Sequence, residues 1–152
     1  MSLAELKRFQ FLAELEEAER DAIAEVLEPV ELDPGIELFA VGEQSEGLCF
    51  VAAGGVRIDS GRVGATGLEL GPGAALGAWS LVTGGTREVR AETTSRSRIL
   101  VLRRSTFRRF ADESPRAACR LLEAILRDTA RLGREALLHA PVGVVDPERR
   151  AD

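Results

Sequence analysis

The sequence predicts a mainly-β domain, an antiparallel sandwich or roll flanked by helices at both ends. Three observations support this fold class. Between residues 30 and 102, apolar residues alternate with polar ones in short segments; glycine-containing turns separate these segments; and helical spacing of apolar residues precedes and follows them. Strands joined by such short turns are antiparallel, because parallel strands need longer crossovers. At 152 residues, the chain has the length of a single domain.

Two helical segments are predicted before the first strand. Residues 3–12 are amphipathic and predict a short helical turn that ends near Phe9 or Phe11. A second helix is predicted from Glu16, because apolar residues recur there at i, i+3, i+4 and i+7. Its first turn is acidic, which suits the positive end of a helix dipole, and Pro29 is expected to end it.

The apolar period then changes to two, which predicts a series of short strands. Seven are expected, over 30–32, 36–40, 48–51, 56–58, 68–70, 89–93 and 98–102. The turns between the first five strands contain glycine.

Two helices are predicted after the last strand. Ser105 is expected to cap a short helix that contains Phe107 and Phe110. Ser114 and Pro115 open a long helix, predicted over 115–138, because serine suits the N-cap and proline the first helical position. Residues 1–138 are therefore expected to form the domain, and 139–152, with two prolines and mixed charge, a loose tail.

The long helix predicts a homodimer. Apolar and small residues follow one another at alternating spacings of four and three, which is typical of a coiled-coil seam; they are Ala118, Leu122, Ile125, Thr129, Leu132 and Ala136. The alternative is that this stripe packs on the domain's own strands. A second, offset apolar set, Leu121, Leu126 and Leu137, allows one stripe to face the strands and the other a partner.

Charge and composition exclude several classes of protein. With 25 acidic and 20 basic residues the net charge is −5, which argues against a general nucleic-acid binder. The first 46 residues hold 13 acids and three basic residues, an imbalance expected of a solvated acidic face. No apolar run approaches the roughly 20 residues of a membrane span, and no signal peptide is recognisable, so a cytoplasmic location is expected.

An enzyme is not predicted. His139 is the only histidine, so neither a histidine-centred triad nor a multi-histidine metal site can be assembled, and no catalytic or metal-binding residue is expected. Cys49 lies in an apolar strand pattern and Cys119 on the long helix, where buried and unreactive thiols are expected.

One glycine-rich segment predicts an anion site. Residues 71–81 contain two glycine-punctuated turns, and Arg87 follows six residues later. Backbone N–H groups exposed at such turns, together with a guanidinium group, suit a phosphate or carboxylate.

A second basic feature lies in residues 96–109. No acid falls between Arg96 and Ala111. A solvated strand edge and helix face is the expected interpretation, and the alternative is a docking site for an acidic partner or for DNA. The arginines are Arg96, Arg98, Arg103, Arg104, Arg108 and Arg109.

The order of these turns resembles the cyclic nucleotide-binding domain, the sensor module of the catabolite activator protein family. The matching segments are 32–35 with Phe39 and Gly42-Glu43, then 48–56, 70–73 and 100–107. The resemblance covers residues 9 to about 138 and implies a β-roll of jelly-roll type with flanking helices. Family members that bind DNA carry a helix-turn-helix after the long helix, and this chain, which ends about 14 residues beyond it, is expected to lack that domain.

The resemblance also implies a ligand site. In the family, a Phe-Gly-Glu-Leu-Ala-Leu segment and a following arginine form the phosphate-binding cassette; the glutamate accepts from the ribose hydroxyl and the arginine pairs with the phosphate. Gly77 and Arg87 match this pattern, whereas Ala78 stands in place of the glutamate and Glu88 in place of a small residue. The implied site residues are Gly77, Ala78, Trp79, Ser80, Arg87, Glu88 and Val89.

These departures lead to a degenerate cassette as the first functional hypothesis. A regulatory module with weak or no binding of cyclic AMP or cyclic GMP is expected, because Ala78 offers no acceptor and an inward-facing Glu88 would oppose the phosphate. If Glu88 faces solvent, the alternative is a functional sensor of cyclic AMP or another small anion through Arg87. Trp79 is expected in the core, as most tryptophans are largely buried, although its indole would otherwise occupy ligand space. The effector protein is not predicted.

Overall fold

Residues 3–139 are described by a computed structural model, and the predicted tail lies outside them from residue 140 onward. Within this range the elements follow the predicted order. The helices are α1 (Leu3–Leu6), α2 (Gln10–Ala13), α3 (Glu17–Val26), α4 (Arg104–Glu113) and α5 (Pro115–His139). The strands are β1 (Glu28–Leu32), β2 (Glu37–Phe39), β3 (Gly47–Ala53), β4 (Val56–Asp59), β5 (Leu68–Leu70), β6 (Ala75–Leu76), β7 (Arg90–Thr93) and β8 (Ser97–Arg103).

The strands form two open antiparallel sheets, and the predicted fold class is confirmed. One sheet has the order β1-β8-β3-β6 and the other β2-β7-β4-β5. Strand β3 shows how the layers arise, because successive side chains face opposite sides. Leu48 and Phe50 pack against the helices, while Cys49 and Val51 face the interior between the two sheets.

The short N-terminal helices are held by polar contacts as well as by packing. Glu16 precedes α3 and forms a capping box with Glu19, whose carboxylate accepts from the Glu16 N–H at 3.0 Å. The buried Arg20 donates to the carbonyls of Leu12, at 3.0 Å, and of Leu15, which supplies partners for backbone groups between α2 and α3.

Several predicted boundaries need correction. The helix α3 ends at Val26, before Pro29, and Pro29 lies within β1, an edge strand that tolerates a missing N–H. Ser105 does not cap α4, since this helix already begins at Arg104. The sequence prediction also missed β6, a strand of two residues that is too short to show a period.

The long helix packs one face on its own domain. Two members of the predicted seam, Ala118 and Ile125, lie in the core with Leu121, so the seam is not a continuous outer stripe. Leu122 and Thr129 are half-buried and Leu126 is exposed on the other side of the helix. The side chains of Leu132, Ala136 and Leu137 lie outside the described part of the structure.

The acidic N-terminal segment pairs with α5 within the same chain. Arg116 contacts Glu16 and Glu19, each at 3.3 Å, and Arg127 contacts Glu14. This part of the acidic face is therefore engaged inside the domain. Over residues 3–139, no helix has the length and apolar character needed to cross a membrane.

Candidate functional site

The candidate site is built around a tight turn between β6 and β7. Residues Ala78–Leu81 form a 3₁₀ helix, and Gly77 precedes it with φ +78°, a left-handed conformation that favours glycine. A Cβ atom at Gly77 would overlap the Arg87 Nη1 atom and would lie 3.0 Å from the Gly47 carbonyl oxygen. Glycine is therefore required here both by the backbone and by the approach of Arg87.

The position of Arg87 is set by a distant segment of the chain. Its N–H donates to the Glu43 carbonyl at 2.8 Å, and its own carbonyl accepts from the Gly42 N–H at 2.8 Å. A further hydrogen bond between the same two segments runs from the Ser45 N–H to the Gly85 carbonyl, at 2.7 Å. The turn before β3 and the end of the cassette thus form a small ladder that fixes where the arginine leaves the backbone.

The Arg87 guanidinium is held by three neutral groups. It donates to the Gly47 carbonyl at 2.9 Å and to the Ser80 hydroxyl at 3.2 Å, and it lies 4.1 Å from the centre of the Phe39 ring. Ser80 also shares a hydrogen bond with Ser45, and both serines are buried. The Arg87 Nε atom is buried and has no hydrogen-bond partner among the described residues.

No described carboxylate lies within ion-pair distance of Arg87. Glu88 is exposed and makes no ion pair with it, while Glu43 and Glu46 act only at longer range. Burial lowers the pKa of Arg87 from its ordinary value, and these two carboxylates offset part of that shift. The guanidinium stays charged because the ordinary pKa of arginine is far above neutral. A half-buried cation that no carboxylate of residues 3–139 pairs with is the main electrostatic feature of the site.

A cavity of about 570 Å³ opens beside this cation. We call it the cassette cavity; the residues that line it include Phe39, Ser45, Leu76, Gly77, Trp79, Ser80, Thr83, Gly84, Gly85, Thr86, Arg87, Glu88 and Val89. Its volume lies within the usual range for small-molecule sites, about 300 to 1,000 Å³. Six of the seven predicted site residues line it.

The seventh predicted site residue, Ala78, does not line the cassette cavity. It packs against the core cluster that lies under the helices. The position at which the resemblance expects a ribose acceptor is therefore both apolar and turned to the core. A ligand hydroxyl would find no carboxylate there.

The expected burial of Trp79 is wrong. The residue is 61% exposed and lines the cassette cavity, whereas the next two residues, Ser80 and Leu81, are buried. The single 3₁₀ turn points Ser80 toward Ser45 and Arg87 and leaves the adjacent indole outside.

A second cavity, of about 390 Å³, is also lined by Arg87 and opens at the edge between β1 and β2. Its apolar wall includes Val30, Leu38 and Val101, and Glu37, Glu43, Glu46 and Arg103 also line it. Three carboxylates at its edge would oppose an anion, so the cassette cavity is the better anion site.

The two cysteines differ in exposure. Cys49 lies in the inner cluster, where burial raises the pKa of its thiol and the charges of Arg87 and Arg103 offset part of the shift. Cys119 is exposed on α5, which corrects the expectation that it is buried. The described residues contain no group of three or more side chains able to hold a metal ion.

The arginines in 96–109 do not form one continuous basic patch. Arg98 pairs with Glu31 at 3.7 Å, and Arg103 pairs with Glu28 at 3.1 Å and with Glu46 at 3.3 Å. Arg104 lies against Gly84 of the cassette. These contacts place Arg98 and Arg103 at a sheet edge and Arg104 beside the cassette turn.

Sequence reasoning missed three residues of the site. Phe39, Ser45 and Gly47 contact Arg87 or Ser80 from positions 35 to 48 residues away. No local pattern marks them, since the contacts depend on how the 42–47 segment meets the cassette. The resemblance matched Phe39 and the Gly42-Glu43 turn, but it did not assign them to the site.

Comparison with known proteins identifies the architecture. The profile of the family described as Cyclic nucleotide-binding domain matches residues 29–114, which is more than half of the chain. A search of curated proteins finds no match.

Solved structures with this fold include bacterial regulators and a kinase regulatory domain. The N-terminal domain of a transcriptional regulator from Streptomyces coelicolor A3(2) is 23% identical with a TM-score of 0.75, over 88% of this chain and 95% of that one. The catabolite activator protein of Thermus thermophilus is 24% identical with a TM-score of 0.71, over 84% of this chain but 61% of that one. The regulatory domain of Toxoplasma gondii PKA, crystallised with cAMP, is 20% identical with a TM-score of 0.61, over 70% of this chain and 42% of that one.

Proposed function

The chain belongs to the cyclic nucleotide-binding domain family, and from this premise we propose that it is a regulatory module that senses a small anion at Arg87. One observation carries the proposal: a half-buried guanidinium faces an open cavity and has no carboxylate partner among the described residues. An anion entering the cavity supplies the missing counter-charge.

The cassette is poorly suited to the ribose of a cyclic nucleotide. Ala78 offers no acceptor and faces the core, so a bound 2′-hydroxyl would be left to water or left unpaired. Leaving such a group unpaired costs about 1 to 3 kcal/mol. We therefore expect cyclic AMP and cyclic GMP to bind weakly, and a ligand that needs no hydroxyl acceptor to bind better.

Titration calorimetry tests the anion site. We expect inorganic phosphate to bind the wild-type chain, and Arg87→Gln to weaken binding at least about tenfold, since a charge-assisted hydrogen bond contributes about 1.5 to 3 kcal/mol. Arg96→Gln is the matched control, because it removes an exposed arginine outside the cavity. Phosphate binding that is unchanged in Arg87→Gln would refute the role of Arg87. Sub-micromolar affinity for cyclic AMP or cyclic GMP would contradict the expectation that the cassette binds cyclic nucleotides weakly.

We also propose that the module acts as a homodimer through α5. Leu122, Leu126 and Thr129 follow one another on this helix at spacings of four and three. Leu126 is exposed, while Leu122 and Thr129 are half-buried beside the core-facing residues. Leu126 is 68% exposed, a large apolar side chain that a partner helix would bury.

Light scattering after gel filtration, at micromolar concentration, tests the dimer. We expect twice the monomer mass for the wild type and a monomer for Leu126→Glu. Arg120→Glu adds the same side chain at another exposed position of α5 and should leave the dimer intact. A monomeric wild type would rule out the dimer.

A further inference from the structure

The indole of Trp79 is exposed at the cassette cavity. With 61% of its surface exposed, it contrasts with Ser80 at 4% and Leu81 at 3%, which follow it in the same turn. Tryptophan is usually highly buried, and its large apolar surface is costly to leave in water. Val82, also exposed, does not line the cavity, whereas Trp79 does.

The backbone under the indole is fixed. The Trp79 carbonyl accepts hydrogen bonds from the Val82 N–H at 3.0 Å, the Thr83 N–H at 2.9 Å and the Thr83 hydroxyl at 3.0 Å. The Ser80 N–H closes the turn by donating to Gly77 O at 2.9 Å. Only two side-chain torsions remain to be ordered, so an incoming group meets a nearly preformed surface.

The cavity therefore combines two kinds of recognition group. Arg87 supplies a fixed cation, and Trp79 supplies an aromatic surface that stacks on other flat rings. A volume of about 570 Å³ is large enough for a small ligand that contacts both. The carboxylate that would read a sugar hydroxyl is missing, since Ala78 lies on the core side.

We propose that Trp79 determines the specificity of the cassette cavity, and that the ligand is a small anion carrying a flat, unsaturated ring. This inference rests on the proposed anion site at Arg87 and adds the chemical class of the ligand. The anionic group pairs with Arg87 and the ring stacks on Trp79. No sugar contact is needed for either interaction.

Three probes separate the contributions of charge and ring: inorganic phosphate, cyclohexyl phosphate and phenyl phosphate. The last two carry six-membered rings of similar size, but only the phenyl ring is flat and aromatic. We expect phenyl phosphate to bind at least about fivefold more tightly than cyclohexyl phosphate, the lower end of the stacking effects measured for aromatic side chains.

Intrinsic tryptophan fluorescence measures this binding directly. Trp79 is the only tryptophan and there is no tyrosine, so intrinsic emission comes from the indole in question. Phenyl phosphate should shift or quench this emission in a saturable way, and calorimetry should give the same affinity. Calorimetry also measures the variants, which lack the indole.

Trp79→Ala should abolish the preference for phenyl over cyclohexyl phosphate, which is a ratio of two affinities measured on the same variant. Trp79→Phe should retain part of the preference. Because the residue is exposed and its backbone bonds remain, both variants are expected to fold.

Three outcomes overturn the inference. Equal affinities for the phenyl and cyclohexyl compounds in the wild type, or a preference that persists in Trp79→Ala, would show that Trp79 does not read the ring. If inorganic phosphate still binds through Arg87 in that case, the proposed function stands and only the ligand class fails. If none of the three probes binds, the anion site and the inference built on it both fail.

Discussion

Replacing Gly77 by alanine should disrupt the candidate site by displacing the Arg87 guanidinium. The residue has φ +78°, where a side chain costs about 1 to 2 kcal/mol. In addition, the new Cβ would overlap Arg87 Nη1 and lie 3.0 Å from Gly47 O, so the guanidinium must move. Moving it breaks its hydrogen bonds to Gly47 O and to Ser80, worth about 1 kcal/mol each. The expected total destabilisation is therefore about 3 to 4 kcal/mol.

Gly35→Ala separates backbone strain from the clash. Gly35 has the same φ of +78°, and nothing lies within 4 Å of a Cβ placed there. Both variants carry the same strain and the same loss of chain entropy in the unfolded state. The remaining difference of about 2 kcal/mol corresponds to a Tm lower by about 4 to 8 °C in Gly77→Ala.

Urea denaturation, thermal melting and phosphate calorimetry measure the effect. We expect Gly77→Ala to be less stable than Gly35→Ala and to lose phosphate binding, while Gly35→Ala keeps it. Equal stability of the two variants, together with unchanged phosphate binding, would refute the inferred contact between Gly77 and Arg87.

The remaining predictions concern charge and thiol chemistry. Glu88→Gln should strengthen phosphate binding by up to about fivefold, since an exposed carboxylate about 4 Å from an anion costs roughly 1 kcal/mol in water; weaker binding would contradict this. Ellman's reagent should modify Cys119 fast and Cys49 only on unfolding, because burial raises the Cys49 pKa; equal rates would contradict the buried position. The hydrogen bond from Arg90 lowers the Asp59 pKa below its ordinary 3.8, so its stabilisation is present above that pH and is lost as the pH falls through the lowered value. In urea denaturation, Asp59→Asn should reduce the loss of unfolding free energy at acid pH. If the stability of the variant depends on pH as that of the wild type does, the lowered pKa of Asp59 is refuted.

Much of the fold follows from local signals. Alternating apolar residues predicted seven of the eight strands in the described range, and turn residues such as Gly35 and Gly42 predicted where strands end. These signals are readable because the period of a strand and the positive φ of a turn depend on a few neighbouring residues. The strand β6 was not predicted, because two residues are too few to show an alternating pattern.

The chemical character of the site depended on contacts between distant residues. The sequence alone determined that Gly77, Ala78 and Arg87 are present, and its resemblance to the family predicted that Ala78 stands where a ribose acceptor is expected. Only the tertiary structure decided that Arg87 meets Gly47 and Phe39 rather than Glu88, and that Trp79 is exposed. Gly47 and Phe39 lie 40 or more residues from Arg87 in the sequence, so no local pattern pairs them with it. The direction of Trp79 is not predictable from a period, because an irregular turn has none. The same holds for α5, where the packed domain decides which apolar stripe is buried.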